Sequence, residues 1–222
     1  MGTPAPLLTP AAEAARYALL RRLAPSMRHH LVVNLQPIGM IYEVMDRRLR
    51  AAEPNLAQVQ ESAGKINGFA KAALASCIDV IGWLAPDDAA VVAPGDAVRE
   101  CCALLATSLS FRGYALRNEV PETGGTVRRA AMRTLLGAAL LHLADSRPAQ
   151  GELTLQGAAE ADAARITFGF QPVPADRPHL PAELNYRAIA WGDLEALAAA
   201  EGVPLAREGE RVVLRFPWSA RP

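Results

Sequence analysis

Apolar positions recur at helical spacing along the first third of the chain. With Leu31 at the centre of a buried face and a step of about 100° per residue, Leu35, Ile38, Tyr42, Met45 and Leu49 fall beside it and predict one long helix with a heptad-like seam. His29 lies roughly 160° from Leu31 on this wheel, pointing outward, and His30 sits on the flank. Below His29 the outward side carries a second apolar stripe, Val33, Pro37, Met40 and Val44. Two readings of that stripe stay open, burial among several helices of a bundle or a docking surface.

Residues 54–84 repeat the helical pattern through Leu56, Val59, Ala63, Ile66, Ala70, Ala73, Leu74, Cys77, Ile81 and Leu84, after a turn at residues 51–55. Helices of matched length joined by a short loop pack antiparallel, and one such hairpin cannot bury two apolar faces. Dimerisation into a four-helix bundle resolves this. Residues 12–23 have helical composition and extend or flank the first helix. Pro25-Ser26 reads as a helix start or a kink, with Ser26 available as N-cap. If the helix starts there, His29 lies in its first turn, where the helix dipole favours a negative group by about 0.3–1 kcal/mol.

After Pro86 the texture changes. The pattern predicts a helix over 98–109, a strand over 114–120, a helix over 128–144, strands over 152–157 and 164–170, a helix over 189–200 and a strand over 211–217. That order implies an α/β sandwich. With the boundary at residues 86–94, the chain is an α+β protein: a helical hairpin domain over 1–86 and a sandwich over 87–222.

At 222 residues and 51% hydrophobic content the chain supports two modest cores. Its 23 basic and 23 acidic residues leave no bulk charge for nucleic acid or anionic lipid. The basic clusters at residues 47–50 and 128–129 read as solvated faces. Three cysteines, with Cys101 and Cys102 adjacent, make no disulfide framework, and a reduced, cytoplasmic setting is expected. No signal segment opens the chain and no apolar run reaches a membrane span. His29, His30, His142 and His179 lack zinc-ligand spacing with the cysteines, so no metal site is expected. Trp191 and Trp218 read as core or anchoring aromatics, and Gly124-Gly125 as a plain loop.

The string His29-His30-Leu31-Val32-Val33-Asn34-Leu35 resembles the H-box of bacterial sensor histidine kinases, H-E-L-R-T-P-L. It is also similar to the variant H-R-x-K-N-N-L-Q, with Asn34, Leu35, Gln36 and Ile38 in step. Both registers select His29 as phospho-acceptor. His30 stands where these kinases carry an acidic residue, and Val33 where they often carry Thr or Asn. Residues 132–145, followed by Gly151-Glu152-Leu153-Thr154-Leu155, resemble the L-R-Q-V-L-x-N-L-x-x-N-A-x-K helix and the G-x-I-x-V strand of the family's ATP-binding domain. Ala138 and His142 replace the two asparagines that hold magnesium nucleotide there; a methyl group cannot coordinate that hard cation and imidazole suits it poorly. In place of the D-x-G-x-G adenine loop stand residues 171–178, and in place of the Gly-rich lid residues 185–193.

The resemblance implies a phosphorelay phosphotransferase, a dimeric four-helix bundle joined to a degenerate ATPase-like domain. His29 would accept a phosphoryl group from a receiver-domain aspartate and pass it to another response regulator. His30 is its neighbour or the alternative acceptor, and Arg28 a candidate for phosphoryl pairing. Val33, Pro37, Met40 and Val44 would meet the receiver. The partners are response-regulator receivers and a second copy of the chain, with no nucleic acid and no membrane. No cofactor of its own is expected, Mg2+ residing on the receiver. An alternative is a non-enzymatic dimeric adaptor acting by occupancy; a third is a kinase with an altered nucleotide site.

Overall fold

The computed structural model describes residues 8–147, 150–173 and 184–221. Two long helices come first, α1 (Pro10–Leu49) and α2 (Leu56–Leu84). A mixed sequence follows: β1 (Val91–Val92), α3 (Pro94–Phe111), β2 (Tyr114–Glu119), β3 (Val127–Arg128), α4 (Arg129–Ser146), β4 (Gly151–Ala159), β5 (Ala163–Pro172), α5 (Trp191–Glu201), β6 (Leu205–Glu208) and β7 (Arg211–Pro217). The chain is thus α+β, with a long N-terminal helical region and a sheet. Packing groups the residues up to Ala24 with those from Asp87 onward, and leaves Pro25–Pro86 as a second compact unit. The sequence pattern alone places residues 1–86 together, with the boundary at residues 86–94.

The start of α1 corrects the expectation at Pro25 and Ser26. Both lie inside a 40-residue helix, and the buried Ser26 Oγ has no hydrogen-bond partner, so Ser26 is no N-cap and His29 is not in a first turn. The true start is Thr9-Pro10. Thr9 Oγ1 accepts the Ala12 N–H at 3.2 Å, and proline suits the first helical position, where its missing N–H has no partner to lose. Interior Pro25 deprives the Arg21 carbonyl of its helical donor. That carbonyl instead accepts from Asn185 Nδ2 at 2.5 Å, which lets the helix run through. Ala12, Ala15, Ala18, Leu19, Arg22 and Leu23 form the buried face of this first half.

In the other unit, α2 begins at Asn55, whose side chain accepts the Gln58 N–H at 3.2 Å. The hairpin seam differs from the predicted one. Asn34 Nδ2 donates to Ser76 Oγ at 3.0 Å and Arg48 Nη1 to Ser62 Oγ at 3.2 Å, so α2 lies toward Leu31, Asn34, Ile38, Ile41, Met45 and Arg48. Leu35, Tyr42 and Leu49, expected in the seam, are exposed, Tyr42 by 56%. The physical reason is that two layers of the seam are polar, and an apolar wheel gives them no weight. On α2 the half-buried or buried positions include 59, 62, 66, 69, 73, 76, 80 and 83, a series with alternating steps of three and four, the spacing of helix-on-helix packing.

The sheet has the order β2-β4-β5-β7-β6, with β2 and β4 parallel and the other pairs antiparallel; β1 and β3 form a separate two-stranded ladder. Leu153, Leu155, Ile166, Phe168, Val212, Leu214 and Phe216 point to one face and are buried. Helix α4 is buried on nearly every side, because it packs against strands of the sheet and against α3 and α5. The sequence pattern gives no signal for β6 or for the short β1 and β3.

Gly202 ends α5 in the left-handed conformation, φ 66°, and a Cβ there would meet no atom within 4 Å. A Gly202→Ala substitution should therefore cost only the backbone penalty, about 1 kcal/mol, read as a lower urea midpoint with unchanged slope.

Candidate functional site

His29 projects from α1 into solvent, Arg28 beside it is exposed, and His30 is half-buried. Val33, Met40 and Val44 are exposed, Met40 by 64%, and Pro37 is half-buried. These residues lie together on the flank of α1 roughly a quarter turn or more from the seam, a continuous apolar strip with an imidazole at its upper end. His29 sits about five residues into the second unit and well inside α1, so its neighbouring backbone N–H groups are spent on helical hydrogen bonds and offer no anion cradle.

The opposite flank of the same hairpin is also apolar. Leu35, Tyr42 and Leu49 on α1 are exposed, as are Leu56, Leu74, Ile78 and Ile81 on α2, Leu74 by 62%. Both stripes are rotated roughly a quarter turn past the seam in the same sense. Because the helices run antiparallel, equal rotations carry both stripes to one side of the hairpin. That side is distinct from the one bearing His29, Val33, Met40 and Val44.

In the sheet unit, the two positions of the expected magnesium asparagines are both buried. Ala138 is in the core, and His142 sets Nδ1 2.8 Å from the Ile189 carbonyl oxygen, with Trp191 beside its ring at 5.8 Å. The carbonyl accepts only, so Nδ1 carries the proton there. Three residues on, Asp145 accepts from Arg22 through both guanidinium nitrogens (2.6 and 2.8 Å), from Arg112 Nη2 (2.8 Å) and from the Ile189 N–H (3.0 Å). Arg22 also donates to the Arg187 carbonyl. Tyr186 stacks edge-on to Tyr17 and lies against the Arg21 guanidinium. The segment 185–190 is thereby tied to α1 on one side and to α4 on the other. Arg187 also pairs with Asp193 at 2.6 and 2.8 Å and holds that carboxyl below the usual carboxylate range.

Trp191 donates to Glu195 and lies under the Arg207 guanidinium, while Trp218 donates to the Glu160 carbonyl; both are anchored aromatics. Residues 121–125 have no regular structure, as read for Gly124-Gly125. His179 and residues 174–178 lie outside the described residues. Among the described residues no group of His, Cys, Asp and Glu is arranged to hold a metal ion, and no helix is long and apolar enough to cross a membrane. The polar seam pairs, the Thr9 cap and the Arg22–Asp145 pair were missed in the sequence. Only the T-P dipeptide at the helix start carried a readable signal.

No protein-family model matches the chain, and the search of curated proteins found no match. Several solved structures align with the chain at low identity and low TM-score. A histidine kinase from Burkholderia phymatum STM815 is 16% identical, over 97% of this chain and 100% of its own, with a TM-score of 0.44. A bacterial phosphotransferase is 13% identical over 97% and 100%, TM-score 0.40. The Acinetobacter baumannii histidine kinase AdeS is 8% identical over 84% and 98%, TM-score 0.42. At these values the likeness says nothing about chemistry.

Proposed function

We propose that the protein is a phosphorelay phosphotransferase that takes a phosphoryl group from a receiver-domain aspartate on His29 and gives it to a second response regulator, without using ATP. The observation that carries this reading is the exposed imidazole of His29 at the head of the exposed strip Val33, Met40 and Val44. An acceptor needs that access, and the strip gives a receiver something apolar to dock on. Phosphoryl transfer passes through a loose transition state stabilised by alignment and charge, so the acceptor protein need supply little beyond a well-placed nucleophile. The receiver's Mg2+ would supply the charge.

Burial of Ala138 and the engagement of His142 with Ile189 argue against autokinase activity. The resemblance of α4 to the family's asparagine-bearing helix gives this its meaning: a methyl and an occupied imidazole stand at both positions. Incubation of the full chain with radiolabelled ATP and Mg2+ should leave it unlabelled, while a panel of radiolabelled phospho-receivers should include at least one that labels it. Label from ATP, or none from any receiver that binds, would overturn the reading.

The second partner is another copy of the chain. The flank formed by Leu35, Tyr42, Leu56, Leu74, Ile78 and Ile81 faces solvent in one copy, and burying each such side chain is worth about 1.5–3 kcal/mol. A four-helix bundle of two hairpins covers this flank and leaves the His29 side open. Leu74→Glu should convert the dimer to a monomer, measured by light scattering at micromolar concentration. Wild type running as a monomer would refute the bundle.

A further inference from the structure

As the nitrogen of His29 bonds to phosphorus, the ring's remaining N–H becomes acidic, and a neighbouring base that takes up its proton favours the transfer. Residue 30 is itself a histidine, so the carboxylate that would stabilise a charged base has to come from elsewhere. The hairpin register identifies a source. Asn34 faces Ser76 and Arg48 faces Ser62, so each step back along α1 is matched by a step forward along α2. One turn before Asn34 is His30; one turn after Ser76 are Asp79 and Val80. Val80 occupies the seam, and Asp79, about 100° behind it, falls on the flank that carries His30 and His29 rather than the flank of Leu74 and Ile78. His30 and Asp79 both make interactions and neither stands free. Asp79 is also the one carboxylate at this level of the two helices: Glu61 lies near the far end and pairs with Lys65 at 2.6 Å, and Glu43 is the nearest acid after His29 on α1.

We propose, resting on the relay reading, that Asp79 of α2 is a positioning residue for the phosphotransfer: it orients and charge-balances His30, which takes up the proton released when His29 is phosphorylated. The His29 nitrogen forms a bond to phosphorus as the bond from phosphorus to the receiver's carboxylate oxygen breaks, and that carboxylate leaves with the electron pair. The proton of the other His29 nitrogen passes to His30, and the resulting imidazolium is balanced by the Asp79 carboxylate. Onward transfer returns the proton by the same route. A residue of one helix thus serves chemistry begun on the other.

The test is single-turnover transfer from a radiolabelled receiver that labels the wild-type full chain, comparing Asp79→Asn, Asp79→Glu, His30→Ala and the double variant His30→Ala/Asp79→Asn. Asp79→Asn should slow transfer about tenfold, with receiver affinity unchanged, and Asp79→Glu should recover most of the rate. In the His30→Ala background, Asp79→Asn should have no further effect. Wild-type transfer by Asp79→Asn, failure of Glu to rescue, or equal slowing with and without His30 would overturn the assignment while leaving the relay intact. A wild-type chain that no receiver labels would overturn the relay, and this assignment with it.

Discussion

His29→Ala should take no label from any receiver that labels the wild type, a loss on the order of 10⁴-fold or more in transfer rate. On the relay reading, His29→Ala removes the nucleophile and leaves no substitute in the same place. His30 is one residue on, about 100° round the helix and half-buried, so its ring points in a different direction from the one that His29 presents to a docked partner. The receiver should nonetheless bind His29→Ala with wild-type affinity, because the apolar strip is untouched. His30→Ala should still be labelled, more slowly. The reverse pattern, label lost with His30→Ala and kept with His29→Ala, would exchange the two roles. Regulation of a partner that survives His29→Ala in full would favour an adaptor acting by occupancy. Gel autoradiography with a parallel binding titration separates these outcomes in one series.

Asp145→Ala and Arg22→Ala should each destabilise the sheet unit by about 3–5 kcal/mol. The side chains are 2% and 3% exposed, and the desolvation of both ions is compensated only by their mutual pairing and hydrogen bonds. Removing Asp145 strands two guanidiniums, Arg22 and Arg112, and leaves the Ile189 N–H without its acceptor. Removing Arg22 strands a buried carboxylate that keeps one guanidinium, so its effect should be the smaller of the two. Arg22→Lys should recover little, since an ammonium cannot reproduce the two parallel hydrogen bonds. Urea unfolding of the full chain, followed by circular dichroism, checks the size. A loss below 1 kcal/mol for Asp145→Ala would mean that the pair contributes little to holding α1 against α4.

Much of the fold was legible because burial leaves a period in the sequence. The helix at 128–144 and the strands at 152–157 and 164–170 were read close to their observed ranges because their apolar residues must meet one core. The seam of the hairpin was misread for a related reason: Asn34, Ser76, Arg48 and Ser62 satisfy one another across it, and pairing of that kind becomes visible only once the two helices are side by side. The same holds for Arg22 and Asp145, 123 residues apart. Proline misled at Pro25, where a tertiary donor, Asn185, takes over the carbonyl that the ring deprives. The outward placement of His29 and the open strip beneath it were readable from the wheel. Asp79 was not, since its relation to His30 rests on the hairpin register.

Helix α1 belongs by its packing to both compact units, its residues to Ala24 with one and those from Pro25 with the other. At the Ala24–Pro25 boundary, therefore, no loop marks a place where the chain can be divided. A fragment ending before residue 87 would carry Ala12, Ala15, Leu19 and Leu23 without the core that buries them, and one beginning at residue 87 would leave Asp145 without Arg22. Gene fusions and domain exchanges that break the chain within α1 should therefore fail, and those that carry α1 over whole with its sheet should succeed.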